Sequence, residues 1–209
     1  MTSTVALPET EAASNSVLDW RPRAMTGMGF GALIMGFFGC VWLGWGLGAM
    51  NLRASIVIAA VVAFAASLWI PAVGLLRNGL LASKQAAPLT PEQQRERSRM
   101  GRNFGLVSAA EGVLILVAIN VLNNLGLGDY AITAIAAVVG LHFLPLARLF
   151  RRPMYYVVGV IMTLAAVLSI AVPASIRISA LASTMSVILW VTCVLILRKG
   201  FALARELPE

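Results

Sequence analysis

Charge is scarce in this chain, and acid scarcer than base: 12% of its 209 residues are Asp, Glu, Lys or Arg, with 9 acids against 16 bases. A soluble domain carries about a quarter of its residues as charge, so an ordinary water-facing surface is excluded. Histidine occurs once and cysteine twice, which leaves a His- or Cys-based metal site without its usual ligand set. Alternating strand patterns are missing, and with them any strand-borne glycine loop for phosphate. The formal charge of +7 does not make a nucleic-acid reader. That function needs a basic face on a soluble fold, and here the bases fall between apolar runs. No metal, cofactor or nucleic-acid partner is therefore expected.

What the chain does have is apolar length, 59% of the sequence. A helix crosses about 30 Å of hydrocarbon with roughly 20 apolar residues. Six stretches meet that need: Gly27 to Met50, Ala54 to Leu76, Asn103 to Asn123, Tyr130 to Phe150, Met154 to Val172 and Ile178 to Leu197. The fold expected is all-α, a polytopic membrane protein of six transmembrane helices arranged as three parallel hairpins, with both termini cytoplasmic. Residues 1–23 form a disordered or interfacial tail, 24–200 the membrane domain with a cytoplasmic basic loop at 77–102, and 201–209 a second tail. Met1 to Asp19 hold Glu9, Glu11 and Asp19 but no Lys or Arg, unlike a cleavable signal, so the first run is expected to stay as an anchor.

Orientation follows from the bases. Arg21 and Arg23, the segment Arg77 to Arg102, the trio Arg148, Arg151 and Arg152, and the group Arg198, Lys199 and Arg205 all fall on one side of six crossings, against Arg53 and Arg177 on the other. The positive-inside rule puts the richer side in the cytoplasm, as in a bacterial inner membrane. Cys40 and Cys193 differ in depth, so no bond between them is expected.

A weak repeat runs through the even-numbered spans. Trp69-Ile70-Pro71 with Arg77, Phe143-Leu144-Pro145 with Arg151, and Trp190-Val191-Thr192 with Arg198 share an aromatic, an aliphatic, Pro or Thr, and a base six positions on. Parallel repeats about the membrane normal account for this; so do convergent belts of aromatics and arginines at one interface. Pro71 and Pro145 are expected to kink their helices. Asn51, Asp129 and Ser175 read as helix N-caps and Gly126 as a helix stop. Trp42 and Trp45 read as outer interface anchors, and Arg177 as a contact to headgroups or to Asp129.

Two further features bear on partners. Gly27 and Gly31, and Gly44 and Gly48, place small residues four apart in span one, suited to close helix packing within the chain or to a homo-oligomer seam. Thr90-Pro91-Glu92-Gln93 reads as a capping box with proline at the first helical position. Arg95, Arg99 and Arg102 follow at helical spacing. They are expected on a short cytoplasmic helix that lies on anionic headgroups, as Arg151 and Arg152 also would, or that feeds directly into span three; a solvated helix accounts for them equally, and a docking surface for a cytoplasmic partner is the functional alternative.

Glu111 and His142 are the ionisable residues placed well inside apolar spans, and such groups are costly there. Counted from the turn near Gly126, they lie at similar depth in consecutive helices. Ser108 shares the Glu111 face one turn earlier, and Pro145 leaves the Leu141 carbonyl without its helical donor. Glu111, His142, Ser108 and the Leu141 carbonyl form a candidate site for a proton, a cation or a small polar solute. The competing reading is a hydrogen bond that only locks the hairpin. An enzyme is not expected, since nothing supplies an orienter or an oxyanion hole for Ser108. Two function classes stay open: a small transporter or channel-like protein, and a non-transporting accessory or sensor subunit that acts through helix and loop contacts.

The run Gly140-Leu141-His142-Phe143-Leu144-Pro145-Leu146-Ala147-Arg148, followed by Arg151-Arg152-Pro153, resembles stretches of small uncharacterised bacterial integral membrane proteins with six helices. The resemblance covers this segment and the hairpin pattern, and it implies no activity.

The topology is directly testable. In a cysteine-free background, Asn51→Cys or Asp129→Cys should react with a membrane-impermeant maleimide added to intact cells, and Ser98→Cys only after lysis. The reverse pattern would overturn the assignment.

Overall fold

The computed structural model describes residues 9–50, 55–86 and 88–206, with side chains from Trp20 onward except at 55 and 56. Met1 to Pro8, the Asn51 cap, Arg53 and the last three residues of the expected tail lie outside it. Six α-helices follow one another, and no strand occurs among the described residues: α1 (Glu9–Ala49), α2 (Ser55–Gln85), α3 (Pro91–Asn124), α4 (Ala131–Leu149), α5 (Met154–Ser169) and α6 (Ala174–Arg205), with a 3-10 turn at Gly128–Tyr130 before α4. Helix α1 starts inside the segment read as a tail. Glu9 and Glu11 there suit the positive end of a helix dipole.

Five helices are long and apolar enough to cross a membrane; α5, at 16 residues, is the shorter apolar helix. The expected span Met154 to Val172 thus ends early as an α-helix. Pro173 disfavours the α conformation just before it. The last residues tighten accordingly, with the N–H groups of Ile170, Ala171 and Val172 donating to carbonyls three residues back. Large apolar side chains such as Ile70, Leu106 and Leu116 are well exposed, at 73%, 63% and 63%. A water-soluble protein rarely shows so much apolar surface; this is the surface of a multi-pass membrane protein.

Two compact units are present, one from Met1–Gly36, Ala63–Pro88 and Thr192–Glu209, the other from Phe37–Val62 and Leu89–Val191. In the first, a buried stripe of α1 runs through Met25, Gly29, Ala32 and Met35. A Cβ at Gly29 would come within 2.7 Å of the Leu76 backbone nitrogen, and one at Gly79 within 2.6 Å of the Thr26 nitrogen. These glycines let α1 and α2 touch through their backbones. The Cys193 thiol donates to the Ala32 carbonyl at 3.3 Å. Arg21 ties the start of this stripe to the end of α6, pairing with the Glu206 carboxylate at 3.3 Å and donating to its carbonyl.

In the second unit α4 packs on both neighbours, more extensively on α5 than on α3. Pairing of α3 with α4 is therefore not set apart from the next helix. Gly140 faces Thr163, where a Cβ would lie 2.7 Å from the backbone nitrogen, and Gly159 meets the Gly140 carbonyl in the same way. Thr133 and Ser169 share a buried hydrogen bond of 3.1 Å between these helices. Space around Gly27, Gly44 and Gly48 is open instead, because the packed face of α1 holds the other set of small residues: Gly29, Ala32, Gly36, Gly39 and Gly46 are buried. Both cysteines are free.

Local ends explain the turns. The Thr90 hydroxyl accepts from the Gln93 N–H at 3.2 Å and Gln93 Oε1 accepts from the Thr90 N–H at 3.0 Å, closing the expected capping box with Pro91 behind it. Gly126, at φ +70°, ends α3 with the reciprocal bonds of a Schellman cap, Leu127 to Leu122 and Gly126 to Asn123. Asp129 is not the cap of α4. It sits inside the 3-10 turn, and Tyr130 holds the cap position without a side-chain bond. Helix α4 ends with the same pair of bonds, Arg152 to Ala147 and Arg151 to Arg148, but Arg151 occupies the left-handed position at φ 51°.

Two residues expected at the outer surface turn inward. Trp42 is 2% exposed and packs edge-on against Trp45, so only Trp45 has the exposure of an interface anchor. Arg177 is buried, with its guanidinium 4.5 Å above the Tyr130 ring and its Nε donating to the Val172 carbonyl. A cation satisfied this way is a staple between the turn before α4 and the turn before α6 and not a contact to headgroups.

Two substitutions test the packing and the turn. Gly140→Ala should lower stability by about 1 to 3 kcal/mol, since Thr163 backbone must move. Arg151→Gly should raise it by about 1 kcal/mol by relieving the left-handed strain. Thermal unfolding in detergent reads both, and opposite signs would refute the assigned helix contact or turn.

Candidate functional site

Half-buried positions on α3 recur at Asn103, Phe104, Val107, Ser108, Glu111, Ile115, Ala118, Ile119 and Leu122, while the rest of its surface is exposed and no residue is fully buried. That spacing of three and four is one helical face, and α4 is the helix it meets. Glu111 stands in the middle of the stripe. His142 projects from α4 between the buried Gly140 and Phe143.

The two side chains meet. His142 Nδ1 lies 3.4 Å from Glu111 Oε2, with the imidazole 10% and the carboxyl 22% exposed. Nδ1 makes no well-directed hydrogen bond, and the ring also interacts with the backbone of Val107, one turn before Glu111. A carboxyl and an imidazole at this separation have two arrangements, acid with neutral ring or carboxylate with imidazolium. Both are neutral overall, which lowers the cost of burial relative to a lone charge. A proton can thus change owner here without adding net charge to the apolar layer.

The other predicted members stand apart. Ser108 is on the same stripe, but among the described residues no hydrogen bond joins it to the pair. Leu141 points outward at 51% exposure, as does Pro145. Helix α4 continues through Pro145, and α2 through Pro71. The Leu141 carbonyl has lost its helical donor to the proline ring. Arg95, Arg99 and Arg102 are exposed and line an open concavity with Gln94 and Ser98. Arg151 is exposed and Arg152 half-buried in the turn after α4. No cluster of three or more His, Cys, Asp or Glu occurs among the described residues, so a metal ion at Glu111 and His142 would have two protein ligands of those kinds.

An aromatic cluster that sequence reasoning missed lies toward the basic end of the same helices. Phe104 packs on Phe150 at 5.9 Å between centroids, Phe150 on Tyr155 at 6.0 Å, Tyr155 on Phe143 at 5.9 Å, and Phe143 on the His142 ring at 5.9 Å. It joins α3, α4 and α5. The signal was present, because Phe104 is seven residues before Glu111 and Phe150 eight after His142, helical returns to the same face.

A family model described as a family of unknown function, DUF7010, matches residues 92–199. The matched stretch begins near the start of α3, takes in Glu111, His142 and the aromatic cluster, and ends late in α6. Neither a curated protein nor a solved structure matches the chain. With just over half of its length matched, the chain belongs to the DUF7010 family, whose function is unknown.

Proposed function

We propose that this is a small transporter or channel-like protein of a bacterial-type inner membrane, with both termini cytoplasmic, and that Glu111 and His142 form its proton-exchange site. The observation that carries the reading is their 3.4 Å approach within helices otherwise lined by apolar residues, where an ionisable pair is expensive and tends to mark a relay or ion path. Two protein ligands are few for a bound metal ion, so the proton is the best-supported cargo of the class proton, cation or small polar solute. Phe104, Phe150 and Tyr155 form an apolar barrier on the basic side of the pair, suited to gating it.

A non-transporting accessory or sensor role is the second reading. It is favoured by the exposure of α3, which has no fully buried residue and so offers a long face to another membrane helix.

Reconstituted vesicles with a pH-sensitive dye inside distinguish the two. Under an imposed potential the wild type should acidify or alkalise the lumen faster than protein-free vesicles, and Glu111→Gln and His142→Gln should each abolish the difference. Unfolding of the single and double variants should show a coupling of about 0.6 kcal/mol, the scale of interhelical polar pairs. Coupling without flux would reject transport and leave the pair as a staple; additive variants with no flux would reject the pair as a unit.

A further inference from the structure

Helix α3 is longer than a membrane requires. Residues 103–124 span about 33 Å at 1.5 Å per residue, which leaves Pro91 to Arg102 as an extension of about 18 Å beyond the hydrocarbon. Every residue of the extension is exposed, and three of its four bases share one side. At 100° per residue, Arg102 stands about 180°, Arg95 about 160° and Arg99 about 120° from Glu111, which faces α4. Glu96 stands about 60° and Glu92 about 100° from it. Glu96 therefore lies toward the α4 side, Glu92 and Gln94 stand on the two flanks, and the outward side carries Arg95, Arg99 and Arg102 with Ser98.

The same outward line continues down the helix as Leu106, Ala109, Val113 and Leu116. All are exposed, Leu106, Val113 and Leu116 at 63%, 58% and 63%. One face of one helix thus presents guanidinium forks above and an unbroken apolar strip below. Arg99 and Arg102 are separated by about 4.5 Å along the axis and Arg95 lies about 6 Å further out, within reach of one phosphate-bearing headgroup by flexible side chains. Arginine matches phosphate oxygens two at a time.

We propose that the outward face of α3 is a binding site for an anionic glycerophospholipid, its phosphate held by Arg95, Arg99 and Arg102 and its acyl chains lying on Leu106, Ala109, Val113 and Leu116. The charge above and the apolar strip below match the two ends of such a lipid in a single line. The Glu111 side of the helix is left to α4, so the lipid site is independent of the proton-exchange proposal.

Native mass spectrometry and thermal unfolding of the full chain in nanodiscs test it. The discs hold phosphatidylcholine alone or phosphatidylcholine with phosphatidylglycerol, and the comparison is between wild type, the Arg95→Gln/Arg99→Gln/Arg102→Gln variant and Arg97→Gln. Arg97 stands about 40° from Glu111, so its substitution removes a charge on the other side. The wild type should retain phosphatidylglycerol and unfold at a higher temperature in its presence. The triple variant should lose that preference by on the order of tenfold or more, and Arg97→Gln should keep it. The proposal fails if the wild type shows no preference for the anionic lipid, if the triple variant keeps it, or if Arg97→Gln loses it equally. It also fails if soluble glycerol phosphate in phosphatidylcholine discs gives the same stabilisation, which would make the arginines a site for a free phosphate ester, or if only an added acidic peptide does, which would make them a protein dock.

Discussion

Within hydrocarbon no water is available to the peptide groups, and every N–H and C=O must find its partner inside the chain. This constraint decides most of what is seen. Backbone satisfaction is local in a helix, so the chain is helical along its apolar runs whatever their side chains, and the side chains are free to answer to depth and to neighbours. Without water to expel between helices, contacts must come from close approach and directed bonds. Gly29 against Leu76, Gly140 against Thr163 and the Thr133 to Ser169 hydrogen bond are contacts of that kind.

Depth and face were legible in the sequence to different degrees. Hydropathy locates helices well, and the Thr90 box announced the start of α3 because its signal is contained in four adjacent residues. The end of α5 was not as legible, since apolar residues continue to Val172 and only Pro173 marks the turn that replaces the last helical bonds. Facing was harder still. Span one carries small residues in two registers, and nothing along a single chain says that Gly29, Gly36 and Gly39, and not Gly27, Gly44 and Gly48, meet a neighbour. Trp42 and Arg177 show the same limit. Their positions near helix ends fit interface residues, yet Trp42 is buried against its surroundings and Arg177 folds over Tyr130.

The pair Glu111 and His142 was legible for a physical reason. Charge in an apolar run is rare enough to be noticed, and two helices joined by a short turn can be compared in depth by counting residues from it. The aromatic chain from Phe104 to Tyr155 escaped because aromatics are at home in lipid-facing helices and attract no notice until their contacts are seen. Ser108 makes no hydrogen bond to the pair for a simpler reason. Sharing a face with Glu111 places a group near the right height without turning it toward the same point.

Helix α3 gathers these effects into one element with two opposed sides. Its α4 side holds Glu111, whose burial is affordable because His142 can take or share the proton; its other side holds Arg95, Arg99 and Arg102, followed along the helix by exposed aliphatic residues. An ionisable side chain fixes the rotation of the helix about its axis, since turning it by half a turn would take the carboxyl away from His142 and leave it unpaired among apolar groups. The weak apolar packing of a helix with no buried residue would leave that rotation loosely defined. The polar contact and the amphiphilic outer face define it together, from opposite sides of the same helix.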